Sequence, residues 1–111
     1  MKRFSTTVVE RRKRFQSNFN SHPMETAWAS EAIFFVHVET VEGEDAALKL
    51  AVQISPDGVN WVNEGTFFPV LKKEGTSFVK LNHFGGFLRL AGEISGEHPG
   101  FLITVHLVLK E

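Results

Sequence analysis

The five histidines of the chain are the side chains best suited to bind a metal or to exchange protons near neutral pH. His37 and His106 fall on outward positions of two predicted strands and could be cross-strand neighbours, together with Glu39. Two imidazoles and a carboxylate form a ligand set that suits zinc, copper or iron. The spacing does not match a dedicated metal motif, and histidines on sheets are commonly plain surface residues. We therefore predict no metal site, with His37 and His106 as the first positions to test.

The sequence contains no arrangement of residues that is typical of a catalytic site. Ser55 and Ser95 lie in predicted turns, and neither is accompanied by the base and orienting acid that activate a nucleophile. Asp57 also lies in a turn, where we expect it to bind its own backbone. The pair Gly85-Gly86 matches neither phosphate-binding glycine pattern, and no helix is predicted after it. We predict that the protein is not an enzyme and has no cofactor.

Two tryptophans, Trp28 and Trp61, are the side chains that could recognise a sugar. Trp61 closely follows the Pro-Asp-Gly turn, and exposed indole rings form stacking platforms in carbohydrate-binding sandwiches. The alternative is that each ring closes one end of a hydrophobic core. We favour the alternative.

The strongest local charge signal is the basic run Arg11-Arg12-Lys13-Arg14. Residues 1–25 hold six basic and two acidic groups (net +4), whereas residues 26–111 hold six basic and eleven acidic groups (net −5). The run could neutralise the phosphates of a nucleic acid, with Phe15 and Phe19 stacking on bases. It could instead pair with the acidic remainder of the chain or of a neighbouring copy. We favour packing and keep nucleic acid as the alternative.

Short strands are predicted after Trp28, because the sequence there alternates apolar and polar positions with a period of two. Polar turns rich in Gly, Pro, Asp and Ser separate the alternating segments. The predicted strands cover residues 32–41, 47–54, 59–61, 66–70, 77–81, 87–94 and 101–110. The segment 42–45 is predicted as a turn and the segment 95–100 as a loop.

This pattern predicts an all-β fold, an antiparallel β-sandwich of jelly-roll or immunoglobulin-like type, with an extended N-terminal arm. The predicted boundary separates a basic arm, residues 1–28, from a sandwich domain, residues 29–111. Residues 4–15 of the arm could form a short helix or an added strand. On this division, a chain without residues 1–28 would still fold.

Some strands are apolar on both faces, which a free sandwich rarely tolerates. Ile33 and Phe35 alternate with core positions and so point outward, and one of the adjacent Phe67 and Phe68 must do the same. We expect the arm or another subunit to cover them. The predicted interface residues are Phe4, Arg11, Arg12, Arg14, Phe15, Phe19, Ile33, Phe35, Phe67 and Phe68.

Three segments carry a family resemblance. They are the run from Val52 to Trp61 with the turn Ser55-Pro56-Asp57-Gly58, the strand Gly86-Phe87-Leu88-Arg89-Leu90, and the strand Pro99 to Val105. Over about residues 47–110 the chain resembles small β-sandwich proteins of bacteria and their phages that have an SPDGxxW turn. Some proteins of this kind are accessory decoration or tail subunits. The resemblance implies a structural subunit and carries over no catalytic residue.

Together these observations favour a structural or assembly protein, such as an accessory subunit of a viral, phage or virus-like particle. Its expected partners are further copies of itself, in a homo-oligomer, or a larger protein shell. A glycan- or protein-binding module is the alternative function. No apolar run is long enough to span a membrane, and residues 1–5 lack the apolar stretch of a secretory signal. We expect synthesis in the cytoplasm.

Overall fold

Two long strands of alternating residues form the centre of the protein. The computed structural model describes residues 3–111. All of the regular secondary structure within that range is β-strand. These residues therefore contain no helix that could cross a lipid bilayer. The strands are β1 Phe4–Phe15, β2 Phe19–Asn20, β3 Met24–Glu25, β4 Glu31–Ser55, β5 Val62–Phe67, β6 Gly75–Asn82 and β7 Phe87–Lys110.

β4 and β7 pair antiparallel along their whole lengths, from Glu31 with Lys110 to Ser55 with Phe87. A straight strand of this length would span about 80 Å at roughly 3.3 Å per residue. The longest dimension of the protein is only 47 Å. The ladder therefore bends, and the register shifts that bend it lie within residues 38–47 of β4.

This bend corrects two of the predicted strand boundaries. The sequence predicts a turn at 42–45 and a loop at 95–100, but both segments are bulged parts of continuous strands. Gly43 has a φ of +102°, and a Cβ at this position would lie within 3.0 Å of backbone atoms of residues 97–99. Glycine permits both the left-handed conformation and the close approach of the two backbones. The turn-like residues thus mark bulges and not a reversal of the chain.

The bend folds one long ladder into two facing layers. Layer A contains β1, β6, residues 31–41 of β4 and residues 101–110 of β7. Layer B contains β2, β3, β5, residues 47–55 of β4 and residues 87–94 of β7. Every pairing is antiparallel, so the predicted all-β sandwich is confirmed.

The core lies between the layers and consists of alternate residues of β4 and β7. Inward residues of β7 change from even to odd numbers at its bulge, from Leu88 and Leu90 to Ile103 and Val105. The period-two alternation predicts nine core residues, and of these only Ile54 is half-buried while the others are buried: Leu48, Leu50, Val52, Ile54, Leu88, Leu90, Ile103, Val105 and Leu107. The largest fully buried side chains are Phe34, Phe101, Leu48, Leu50, Leu88, Leu90, Ile103 and Leu107.

The N-terminal segment completes the sheet, so the extended arm is not confirmed. β1 pairs with residues 101–110 of β7, and the two-residue strands β2 and β3 pair with residues 87–92. The segment from Phe4 to Glu25 therefore runs along the whole of one edge of β7. Of the two structures considered for residues 4–15, the added strand is the one observed.

Polar side chains continue this pairing where the strands of the N-terminal segment are interrupted. The backbone N–H of Ser21 donates to the Leu90 carbonyl, and Ser21 Oγ accepts from the Leu90 N–H, both at 2.8 Å. Thr26 Oγ1 donates to the Gly85 carbonyl at 3.2 Å. Ser21 and Thr26 are buried, and these bonds meet the need of a buried hydroxyl for partners.

Two aromatic rings stack on each other across the turn between β1 and β2. Phe15 and Phe19 stack nearly parallel, with centroids 3.7 Å apart, and both rings pack against the core. Gly92 leaves the space for this, since a Cβ there would lie less than 3.0 Å from three atoms of the Phe19 ring. These two predicted interface residues are therefore half-buried in their own chain.

Candidate interaction surfaces

The two histidines of the candidate metal site are cross-strand neighbours, as predicted, but Glu39 is engaged elsewhere. His37 pairs with Thr104 and His106 with Phe35, so the two imidazoles are diagonal neighbours on the outer face of layer A. His37 Nδ1 lies 2.7 Å from the Thr76 hydroxyl. Glu39 forms an ion pair with Arg12, whose Nε lies 3.0 Å from the Glu39 carboxylate. Among residues 3–111, no three side chains of His, Asp or Glu converge on a point that could hold a metal ion.

The Ser-Pro-Asp-Gly turn uses its polar groups to hold itself together. Asp57 Oδ1 accepts the backbone N–H groups of Val59 and Asn60, each at 2.9 Å, and Oδ2 accepts from the Asn60 amide at 2.8 Å. Ser55 Oγ, which is buried, donates to Asp57 at 3.0 Å and accepts from the Gly58 N–H at 2.8 Å. The hydrogen bonds from Asn60, then those from Val59 and Ser55, hold the pKa of Asp57 well below its ordinary value. The predicted structural role of Asp57 is confirmed.

Each tryptophan has a guanidinium on one face of its ring. Arg3 lies 4.0 Å from the centroid of Trp28, and Arg89 lies 4.2 Å from the centroid of Trp61. Arg89 also donates from Nε to Gln53 Oε1 at 2.8 Å, and partial burial lowers the pKa of its guanidinium. These cation–π contacts occupy ring surface on which a sugar would have to stack. One face of each indole is therefore covered by a guanidinium.

Part of the basic run pairs with acidic residues of the same chain. Arg12 Nε lies 3.0 Å from Glu39, and Arg14 Nη1 lies 2.6 Å from Glu42. Both pairs are partly exposed, so each contributes about 0–1 kcal/mol. Arg11 is exposed. This arrangement matches the predicted pairing of the basic segment with an acidic body, here within one chain.

The most apolar surface lies on the outer face of layer A, where the register aligns outward residues of four strands in rows. One row consists of Val8, His106, Phe35 and Phe78. The next row consists of Thr6, Val108, Ile33 and Lys80. We define the outer apolar patch as Phe4, Val8, Ile33, Phe35, Phe78 and Val108.

Two phenylalanines are the most exposed members of this patch, Phe4 at 69% and Phe78 at 53%. The rings of Phe35 and Phe78 lie 5.7 Å apart, in a tilted contact. Ile33 and Phe35 are half-buried and point outward as predicted. Phe78 was not among the predicted interface residues, although an inward Val79 in the predicted strand 77–81 implies that its neighbour points outward.

The adjacent phenylalanines at the end of β5 point in opposite directions, as predicted. Phe67 is 59% exposed, whereas Phe68 is 5% exposed and belongs to the core. The Phe68 N–H donates to the Leu50 carbonyl at 3.0 Å. Phe68 is therefore a core residue, and its inclusion among the predicted interface residues is corrected.

The outer face of layer B is more polar and contains a shallow groove of about 240 Å³. Ala51 pairs with Ala91 on one side and with Phe67 on the other, so two small residues lie beside one exposed ring. Next to them Gln53 Nε2 donates to Asn63 Oδ1 at 3.1 Å. The groove thus combines an aromatic face with amide groups, which is the chemistry that recognises a sugar or a polar peptide.

No protein-family model and no curated protein matches the chain. Among solved structures, the SPBc2 prophage-derived protein YomS is similar, with a TM-score of 0.59 and 7% identity over 100% of this chain and 96% of that one. The CBM36-1 domain of a multidomain xylanase from the hindgut metagenome of Trinervitermes trinervoides has a TM-score of 0.53 and 9% identity, over 96% of each chain. At these identities the similarity shows the fold alone, over nearly all of the given chain.

Proposed function

We propose that the protein is a structural subunit that acts by self-association, as an accessory component of a phage, viral or virus-like particle. The observation that carries this proposal is the outer apolar patch of layer A, which spans four strands and exposes Phe4 and Phe78. Isolated monomers rarely leave a continuous surface of this kind uncovered. The proposal includes no catalytic step and no cofactor.

A second copy is the occupant that we propose, and the apolar area of the two exposed rings is of the size that offsets the entropic cost of such a contact. Roughly 100 Å² of each exposed ring would be buried in a contact, so Phe4 and Phe78 together contribute about 5 kcal/mol per copy at 25 cal/mol per Å². A twofold contact counts this area twice, about 10 kcal/mol in all, because an isologous interface uses the same patch on both subunits. That amount is comparable with the roughly 4–15 kcal/mol lost as translational and rotational freedom.

The setting in a particle is supported by two likenesses. A structure of prophage origin has this fold over its whole length. The SPDGxxW turn and the two later strands resemble those of small β-sandwich proteins of bacteria and their phages, some of which are accessory subunits of shells and tails. The basic run belongs to the sheet edge, and its Arg12 and Arg14 pair with acidic residues of their own chain, which supports protein contacts over nucleic-acid binding.

Self-association can be tested by light scattering of the purified chain over a range of concentrations. We expect a mass that is a multiple of 12.5 kDa. Ile33→Lys, in the middle of the patch, should lower that mass. Val59→Lys, at a loop position that is 77% exposed, is the matched control and should leave the mass unchanged. A wild-type chain that stays monomeric at every concentration would overturn the proposal.

A second candidate function, glycan binding, is favoured by the groove of layer B. Phe67 and the amides of Gln53 and Asn63 line it, and the fold is shared with a carbohydrate-binding domain of a xylanase. Calorimetric titration with xylo-oligosaccharides tests this function directly. Binding that Phe67→Ala abolishes and Phe78→Ala preserves would replace self-association as the main function. An absence of heat with the wild type would remove this candidate.

A further inference from the structure

A sandwich made from one folded ladder has four lateral edges, two in each layer, and each edge is a possible site for an added strand. An uncovered edge presents backbone N–H and C=O groups that can pair with another chain. The edges of this protein are formed by β1 and β6 in layer A, and by β2 with β3 and by β5 in layer B. They differ strongly in how well they could accept a partner.

The β1 edge is poorly suited to pairing. Its register shifts between Val8 and Glu10 and again between Glu10 and Lys13, and Arg12 has a φ of +44°. These bulges turn the backbone away from a regular ladder. The basic run, residues 11–14, adds like charges that repel a second copy of the same strand.

Both edges of layer B are also interrupted. β2 and β3 are two residues long each, and Pro23, which has no N–H to donate, lies between them. β5 has a register shift opposite residues 51–53 and contains Gly65 with a φ of +111°. Pro69 follows soon after β5. Neither edge offers a long, straight row of backbone groups.

The β6 edge is the least protected of the four, since its positive-φ residue, Gly75, stands at the first position of the strand. Its eight residues, Gly75–Asn82, pair with β4 without a register shift, from Val38 with Gly75 to Glu31 with Asn82. No other strand of the described residues pairs with its second side. It contains no proline, its single charged residue is Lys80, and Phe78 at its centre is exposed.

We propose that two copies of this chain join through β6, edge to edge and antiparallel, so that layer A continues across a twofold axis into an eight-stranded sheet. This inference rests on the proposed self-association and adds a second contact to it, through the β6 edge and not through the face that carries the outer apolar patch. Outward residues must face outward residues across the axis, because successive side chains alternate between the faces of a sheet. With the axis at Phe78, this ring lies opposite Phe78 of the second copy.

This register also places the other side chains favourably. Thr76 lies opposite Lys80 of the second copy, so no like charges face each other within the paired strands. The contact between Phe35 and Phe78 is repeated on both sides of the axis, which gives a row of four rings on one face. The two outer apolar patches then form one continuous surface, and the paired copies can present it to further subunits.

Single cysteines test the register directly, since the chain contains none. Directly opposite residues have Cβ atoms about 4.5–5.5 Å apart, close to the spacing that a disulfide needs. Phe78→Cys should therefore form a covalent dimer under mild oxidation. Two control variants should form no covalent dimer. Phe67→Cys replaces a similarly exposed phenylalanine on β5, and Thr76→Cys replaces a residue that faces Lys80 of the second copy. Cross-linking of all three variants to the same extent would overturn the proposal.

Phe78→Lys tests the strength of the contact, because it sets two like charges opposite each other on the axis. We expect the dissociation constant of the dimer to rise on the order of tenfold or more, with Phe67→Lys as the control and circular dichroism to verify folding. If the wild type is oligomeric but Phe78→Lys keeps its mass and Phe78→Cys does not cross-link, the β6 contact is wrong while self-association stands. A wild type that is monomeric throughout, with no cross-linking of Phe78→Cys, removes both.

Discussion

The two outer sides of the β4–β7 ladder are flanked by different parts of the chain. On the β7 side, one segment of the chain follows the strand from Phe4 to Glu25, with buried hydroxyls where pairing stops and ion pairs at the bend. On the β4 side, β5 and β6 cover separate halves, and β6 leaves a straight outer edge. The difference indicates that the N-terminal segment protects and stabilises the sheet along β7, whereas on the opposite side the outer edge of β6 stays unpaired.

Deletion of residues 1–28 should destabilise the β7 side more than any single substitution. The truncated chain would expose one whole edge of β7 and would lose Phe15 and Phe19 from the core. We expect loss of cooperative unfolding and of soluble expression, contrary to the folded remnant that the sequence analysis predicts. Far-UV circular dichroism and a thermal melt are the measurements. A truncated chain that melts cooperatively near the wild-type temperature would show that the segment is a separable arm.

The adjacent phenylalanines of the β4 side should differ greatly in their effect on stability. Phe68→Ala removes a buried ring and leaves a cavity, at a cost of about 3–5 kcal/mol. Phe67→Ala removes an exposed ring and should change the free energy of unfolding by less than about 0.5 kcal/mol. Urea denaturation measures both. Equal effects would mean that Phe67 is also buried, by a partner or by another part of the chain.

Ser21→Ala should weaken the β7 side by an intermediate amount. The change leaves the buried N–H of Leu90 without its 2.8 Å acceptor, which costs about 1–3 kcal/mol. Ser17→Ala, at an exposed position in the same segment, is the control and should be close to neutral. Urea denaturation of the three proteins gives the comparison, and a neutral Ser21→Ala would indicate that water replaces the hydroxyl.

The ion pairs of the basic run should matter little for stability. Replacement of Arg12 or Arg14 by Ala should cost about 0–1 kcal/mol each, less in high salt, because both pairs are partly exposed. Thermal melts at low and high ionic strength measure this. A larger loss that salt does not reduce would mean that the stems of these arginines act through packing.

Acid should weaken the turn that leads into β5, and this is the smallest effect. The folded-state pKa of Asp57 is depressed, so its contribution is present above the ordinary aspartate pKa of about 3.9 and is lost as the pH falls through the folded value. Asp57→Asn should therefore reduce the drop in melting temperature between pH 5 and pH 2. An unchanged acid dependence in this variant would show that other carboxylates account for it.

Much of the sandwich could be predicted because its causes are local. Alternation with a period of two identifies the inward residues of β4 and β7, and side chains at adjacent positions must point to opposite faces, which separates Phe67 from Phe68. The Ser-Pro-Asp-Gly turn is equally local, since its partners lie within a few residues of Asp57. These inferences needed no knowledge of distant contacts.

What the sequence alone determined was therefore the all-β class, the core positions and the presence of outward apolar residues. The tertiary structure decided where the chain reverses, which segment covers β7 and which edge stays open. A polar segment with a glycine has the same composition in a hairpin turn as in a bulge, and only the partner strand, residues 97–99 beside Gly43, distinguishes them. In the same way, whether a basic segment is an arm or an edge strand depends on a backbone pairing with residues about a hundred positions away, which no local pattern records.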